Sequence, residues 1–290
     1  RDFPTLEPSR PYELTDGERR VLDGLVESFT HSRRLRRHVD FLYEKGSVYL
    51  AYNNNLLFHG CVPMRADGSF RPIRVGGRHI AGRAYLDACD RMARIAWHER
   101  TPEALDWMWC GLGSPLSGRT MKTFERTFVA DRSAWAEEQD PYFELTCEPG
   151  ACEHVLAEFG LSGPASHIIN GHTPVARASG ESPVRGGGRR LVIDGGFCRA
   201  YHSRTGIAGY TLIVDAQGMR IKAHRPYGAI GDVVADRGDI FSDDDQLEVN
   251  ERPLIVADTD TGAHIRAQID DLTALLDAYR TGDLPERGRA

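Results

Sequence analysis

Along the first fifty residues, apolar positions recur at helical spacing: Val21, Leu22, Leu25, Val26 and Phe29, then Leu35, Val39 and Leu42. Thr15 with Glu18 has the form of a capping box, and Gly46 stands where a helix would be closed. Two helices are therefore predicted, one following Thr15 and one over about Ser32 to Lys45, with these apolar residues inward. The pattern then changes period. Val48, Leu50 and Tyr52 alternate, Asn53 to Asn55 read as a turn, and Leu56 to Phe58 complete a predicted hairpin.

Residues 64–81 are rich in Gly, Arg and Pro and read as a loop or short hairpin. Tyr85, Ala88, Met92 and Ile95 mark a helix, Thr101-Pro102-Glu103 starts another leading into Trp107 and Trp109, and "TMKTFERTF" reads as a short helix. A helix over Ala151 to Phe159 is closed by Gly160. β-Structure follows: Ile168 and Ile169, "LVIDGG" at 191–196, and a hairpin of Tyr210 to Asp215 and Met219 to His224 about Gln217-Gly218. Ile265, Ile269, Leu272, Leu276 and Tyr279 form a last helical stripe ending before Gly282. There is no internal repeat.

Composition narrows the class. The 290 residues are 41% hydrophobic and 27% charged, which fits a folded domain and excludes neither one large core nor two smaller ones. No apolar run approaches the roughly 20 residues that span a bilayer, so neither a membrane protein nor a secreted one is expected, and the cytoplasm is the expected location. The net charge of −6 argues against general nucleic-acid binding. "RRLRR" at 33–37 has no interleaved aromatic residues and reads as a solvated helix face. Six scattered cysteines without a CxxC pair are expected as reduced thiols. Arg1 in place of an initiator methionine suggests an internal position in something longer.

The candidate chemistry lies at three strand ends. His59-Gly60 follows Leu56 to Phe58, Gly171-His172 follows Ile168 to Asn170, and Asp194-Gly195-Gly196 follows Leu191 and Val192. Polar side chains beside glycines at a sheet edge suit ligand binding, because glycine allows a sharp turn and close approach of an ion. Imidazole is a common metal ligand. Each histidine equally fits a hydrogen-bonded residue at a strand end, and Asp194 fits a turn residue; spacing does not separate these readings. Cys61 is a poor nucleophile partner for His59, since nothing orients the pair. "GDVVADRGD" at 231–239 reads as a surface loop, and "RGGGRR" at 185–190 lacks the P-loop Lys-Ser/Thr and reads as a turn.

"FPTLEPSRPYELT", "HSRRLRRHVDFLYEKGS", "HGCVP", "TFER", "HIINGHTPV", "LVIDGGFCRAY", "TGIAGYTLI" and "ADTDTG", in this order, closely resemble the bacterial, firmicutes-type class III fructose-1,6-bisphosphatases. The resemblance spans residues 2 to 283. It implies membership of the calcineurin-like metallophosphoesterases and an α/β fold, a two-sheet sandwich flanked by helices. The chain would be its C-terminal portion, with a helical insertion over about 64–160, a β-rich part over about 165–225 and a C-terminal helix over about 263–281. The implied activity is hydrolysis of fructose 1,6-bisphosphate to fructose 6-phosphate and phosphate, a gluconeogenic step, with a binuclear Mn2+ site.

By resemblance His59 matches the superfamily's strand-end His-Gly motif and His172 its Gly-His motif, and both would ligate one metal. Asn170 and Asp194 would orient a ligand from behind. Arg119, Lys122 and Arg126 are candidates for the substrate's second phosphate because they cluster in sequence. The superfamily's Asp-x-His, Gly-Asp and Gly-Asn-His motifs are absent from the chain, so no catalytic residue is assigned. A phosphoprotein phosphatase stays as an alternative because "GHTPV" also occurs there, and the missing motifs leave a catalytically silent binding or regulatory module as another. Their absence also predicts uncovered apolar faces and edges, which would favour a homo-oligomer.

Overall fold

A computed structural model describes residues 4–101, 108, 111–225 and 242–285. It is a mixed α/β protein of two compact units: Arg1–Tyr49 with His59–Phe143, and Leu50–Phe58 with Glu144–Ala290.

In the first unit, helix α1 (Asp16–Thr30) opens on the expected capping box: the Thr15 amide donates to the Glu18 carboxylate at 2.8 Å, and the Glu18 amide donates to Thr15 Oγ1 at 3.3 Å. Helix α2 (Arg33–Lys45) is capped by Ser32 and closed by Gly46, whose amide donates to the Leu42 carbonyl at 2.8 Å. The expected inward faces are not inward. Val21, Leu22, Leu25, Val26 and Phe29 of α1 are exposed, as are Leu35 and Leu42 of α2, with Val39 half-buried. The residues of α2 that dock lie on a face rotated from the apolar stripe. Tyr43 stacks on Trp97 at 5.5 Å, Trp97 Nε1 donates to Asp40 at 3.0 Å, and Arg94 donates to the Tyr43 and Gly46 carbonyls.

Helix α3 (Gly82–Glu99) carries Arg94 and Trp97 and buries Tyr85, Leu86, Ala88, Cys89 and Ala96. Met92 is half-buried, and Ile95, expected inward, is exposed. Ahead of it, β3 (Ile73–Val75) and β4 (Arg78–Ile80) form a short antiparallel hairpin. Helix α4 (Thr123–Phe128) begins with the "TFER" motif. Of the predicted helix from Thr101 through Trp107 and Trp109, residues 102–107 and 109 lie outside the described residues.

The second unit contains two sheets. A five-stranded sheet has the order β1 (Tyr49–Tyr52), β2 (Asn55–Phe58), β5 (His167–Asn170), β7 (Arg190–Val192) and β6 (Val184–Arg185). β1 and β2 are joined by Asn53 and Asn54 at φ 48° and 62°, the two-residue hairpin turn that asparagine tolerates best after glycine. A three-stranded antiparallel sheet has the order β10 (Ser242–Val249), β9 (Gly218–His224) and β8 (Gly209–Asp215). Val192 of the first sheet shares a core with Tyr210, Ile221 and Ala223 of the second, and Leu191 and Ile169 share one with Met219. The two sheets thus face each other across apolar side chains.

Helix α5 (Tyr142–Leu145) precedes α6 (Pro149–Glu158), which begins two residues before the predicted start and is followed by Gly160 at φ 77°. The short α7 (His202–Thr205) precedes β8, and α8 (Asp260–Thr281) ends at Gly282 in the left-handed conformation, as its stripe predicts. β7 stops at Val192, four residues short of the predicted end. β10 has no counterpart in the sequence reading. Its "SDDDQLEV" looks like a loop, but Asp244 lies opposite Lys222 and pairs with it at 3.3 Å, and Asp243 pairs with Arg225 at 2.6 Å. Cross-strand cations thus neutralise an acidic edge strand.

Candidate functional site

β2, β5 and β7 run parallel in adjacent positions. Leu57 lies beside Ile169, which lies beside Leu191, and Asn170 lies beside Val192. Their carboxyl ends therefore share one edge of the sheet. The residue after Phe58 is His59; after Asn170 come Gly171 and His172; after Val192 come Ile193 and Asp194. That edge of a parallel sheet is where open α/β proteins bind ligands.

The backbone around these ends is specialised. His172 has φ 66°, a left-handed conformation costly for a side chain with a Cβ, and such outliers concentrate at functional sites. His59 is exposed, and the adjoining Gly60 is buried. The reason for Gly60 differs from the one expected: a Cβ there would lie 2.6 Å from the Pro115 and Leu116 carbonyl oxygens, so glycine serves close backbone packing. Gly195 is similar, since its Cβ would lie 2.5 Å from Gly209 Cα.

Behind the edge, Asn170 is buried and its Oδ1 accepts from Arg190 Nε at 3.1 Å, while Arg190 also donates to Thr146 Oγ1 at 2.7 Å. Arg190 escaped the sequence reading. Its one signal was a cation opening the apolar run "RLVI", which strand burial on both faces turns into a buried guanidinium. Asp194 Oδ1 accepts the Gly196 amide at 2.9 Å, and its carbonyl accepts from Val175, so this residue shapes the turn.

Two of the three basic candidates meet at Glu137, whose carboxylate accepts the Lys122 amide at 3.1 Å and lies beside Arg126. The Arg119 guanidinium lies over the Phe143 ring at 5.5 Å, Lys122 pairs with Glu125 at 2.9 Å, and Arg126 lies 3.4 Å from Glu137 and donates to the Trp135 carbonyl. Among the described residues, no group of three or more His, Cys, Asp or Glu side chains gathers as a metal site. The described residues therefore do not by themselves complete the expected binuclear centre.

The remaining motifs fall into place as structure. Cys61 is buried, and its thiol donates to the Ser114 carbonyl at 3.5 Å. Gly186 to Gly188 make the turn between β6 and β7 with positive φ throughout. No disulfide joins the five described cysteines, which fits the expected thiols. Residues 231–239 lie outside the described residues, and no described helix is long and apolar enough to cross a membrane.

The model of the firmicute fructose-1,6-bisphosphatase family matches residues 1–281. The chain belongs to that family. Among its curated relatives, the "Fructose-1,6-bisphosphatase class 3" of Listeria monocytogenes serotype 4b (strain CLIP80459) is 43% identical over 293 residues, covering 98% of this chain and 45% of the relative. The protein of the same name from Clostridium botulinum (strain Langeland) is 43% identical over 298 residues, covering all of this chain and 45% of the relative. A "Fructose-1,6-bisphosphatase class 3 1" from Clostridium beijerinckii is 42% identical over 99% of the chain and 44% of the relative. The family resemblance read from "HGCVP" through "GHTPV" and "LVIDGG" thus holds along the chain, which spans less than half the length of these relatives. No solved structure matches it.

Proposed function

We propose that the chain forms part of a metal-dependent phosphomonoesterase of the cytoplasm that converts fructose 1,6-bisphosphate and water to fructose 6-phosphate and phosphate. One observation carries this reading: the parallel ends of β2, β5 and β7 lie side by side and lead into His59, His172 and Asp194. It is supported by 43% identity, over nearly the whole chain, to proteins named for that activity. The facing sheets of the second unit support the finer reading of a calcineurin-like sandwich.

On this proposal His59 and His172 each offer an imidazole nitrogen to a manganese pair whose other ligands lie outside the described residues. Manganese, when bound, would supply an activated water and charge neutralisation at phosphorus. The chain's own part is to hold its imidazoles in place. Strand pairing fixes the position of Asn170, Arg190 holds its side-chain amide, and His172 stands in the left-handed conformation two residues past the end of the strand. Arg119, Lys122 and Arg126 are the proposed cations for the second phosphate; Lys122 and Arg126 would exchange Glu125 and Glu137 for phosphate oxygens.

The test measures, in the whole enzyme of which the chain is proposed to form part, manganese binding and phosphate release from fructose 1,6-bisphosphate, with a phosphopeptide as comparison and His59→Ala and His172→Ala as controls. The expected result is sugar-bisphosphate turnover with manganese, lost in both variants. Preference for the phosphopeptide would move the chain to protein dephosphorylation. Neither manganese binding nor turnover would make it a silent module that keeps the family fold.

A further inference from the structure

The stretch "CEPGAC" at 147–152 places two thiols at the mouth of helix α6. Glu148 is the cap and Pro149 the first helical residue, so Cys147 stands just before the cap and Cys152 is the fourth residue inside. Side chains at these two positions meet over the first turn of a helix, where they are ordinarily apolar and staple the incoming chain to it. Here both are cysteines.

The contacts agree with that placement. The Cys152 thiol is wholly buried and donates to the Thr146 carbonyl at 3.3 Å, and that carbonyl belongs to the peptide group leading into Cys147. A negative charge on Cys147 is felt at Cys152. The glycine turn before β7 closes over the pair: a Cβ on Gly186 would lie 2.6 Å from Cys152 Sγ, and one on Gly187 would lie 2.9 Å from Pro149 Cγ. Cys147 itself is exposed and, with Arg185 and Gly186, lines an open hollow of about 440 Å³. One thiol meets solvent, and its neighbour is sealed behind it.

We propose that Cys147 and Cys152 are a redox-sensitive pair that closes to a disulfide across the first turn of α6 by exchange with a small disulfide. Cys147, as its thiolate, attacks one sulfur of the small disulfide and displaces a small thiolate, leaving a mixed disulfide. Cys152 then gives its proton to water, its sulfur attacks that of Cys147, and the second small thiolate leaves. Two protein thiols are oxidised, and one small disulfide is reduced to two thiols. Burial pushes the Cys152 thiol up to about 11, so the second step is the slower one. Closure takes the thiol proton from the Thr146 carbonyl and ties the chain on both sides of Glu148. Thr146 Oγ1 accepts from Arg190 at 2.7 Å, so the bond forms on the segment that anchors the buried guanidinium between β5 and β7. In the cytoplasm proposed above, disulfides are chiefly transient, which requires this one to be reversible.

The experiment equilibrates the whole enzyme with glutathione at rising ratios of disulfide to thiol, quenches with acid, alkylates, and maps the peptides by mass spectrometry. The expected product is a peptide with an internal Cys147–Cys152 bond, two hydrogens lighter than the thiol form. Its yield should rise with glutathione disulfide and be lost on adding dithiothreitol. Cys152→Ala should halt the reaction at its first step, so that glutathione accumulates on Cys147. Cys147→Ala should leave Cys152 a thiol at the same ratios, because its sulfur is sealed. In urea the same yield should need a more oxidising ratio, since unfolding releases the two positions from the helix start. The unsubstituted protein alone can overturn the proposal. Cys147 that stays a thiol at the most oxidising ratio, keeps glutathione without closing, or pairs with another cysteine would each do so. Equal yields in urea and in buffer would overturn the part played by the helix geometry.

Discussion

Arg190 on β7 donates its Nε proton to the side-chain oxygen of Asn170 on β5 at 3.1 Å, and both residues are almost wholly buried. The pair links two adjacent parallel strands one step before Gly171 and His172. Its second bond, to Thr146, anchors the strands to the segment leading into α6. Replacing Arg190 with Met removes both bonds, each from a charged donor, and should lower stability by about 2–3 kcal/mol. Urea unfolding of the two chains measures this directly, with an unchanged slope showing that the native state remains compact.

His172 offers a way to separate backbone from side chain. At φ 66° alanine and histidine bear the same left-handed strain, and glycine bears none. His172→Gly should therefore be more stable than His172→Ala by roughly 1 kcal/mol. Both lack the imidazole, so on the proposed function both should lose the manganese-dependent phosphate release of the whole enzyme. A glycine variant no more stable than the alanine one in thermal unfolding would show that the conformation is not strained.

Asp140 makes the stability of the first unit depend on pH in an unusual direction. Its Oδ1 accepts the Met64 and Tyr142 amides at 2.9 Å each, and Arg71 lies 3.3 Å from Oδ2. Burial nevertheless outweighs these and raises its pKa above the ordinary 3.8. The native state then holds this proton more tightly than the unfolded chain, so its contribution is complete below about pH 4 and is lost as pH rises through the raised value. In denaturant melts across that window, the slope with pH should flatten in Asp140→Asn. An unchanged slope would remove Asp140 as its cause.

Thiol reactivity should divide by position. Burial pushes the Cys89 thiol to about 12 and that of Cys152 to about 11, and Cys61 is buried as well. Cys147 and Cys198 are exposed. Iodoacetamide at mildly alkaline pH should label Cys147 and Cys198 in the folded chain and reach Cys89 and Cys152 only on unfolding, as peptide mapping over time would record. Early labelling of Cys89 would mean that α3 opens locally.

Signals confined to a few neighbouring residues were legible in the sequence. The Thr15–Glu18 box, the Gly46 cap, the turn read over Asn53 to Asn55, of which Asn55 opens β2, and Gly282 all act through bonds or dihedral preferences within four residues, so nothing distant can override them cheaply. Facing was less legible. The stripe on α2 gave way to the Asp40 and Tyr43 face because Trp97 and Arg94 of α3 bind there, and neither partner is visible in the local period. β10 was hidden because a run of aspartates carries no strand signal until Lys222 and Arg225 pair with it. Gly60 was noticed for the right position and the wrong reason, since the carbonyls it accommodates belong to residues 115 and 116.

For the candidate site, the residues themselves determined that two histidines and one aspartate each follow an apolar strand and adjoin glycine, because strand alternation and chain direction are local properties. Tertiary structure decided that these strands are neighbours and parallel, that Arg190 is buried behind them, and that Lys122 and Arg126 near "TFER" are held by Glu125 and Glu137. Strand register joins residues as far apart as Leu57 and Ile169. No local pattern carries that pairing, which arises only when the buried faces of β2, β5 and β7 find their common core.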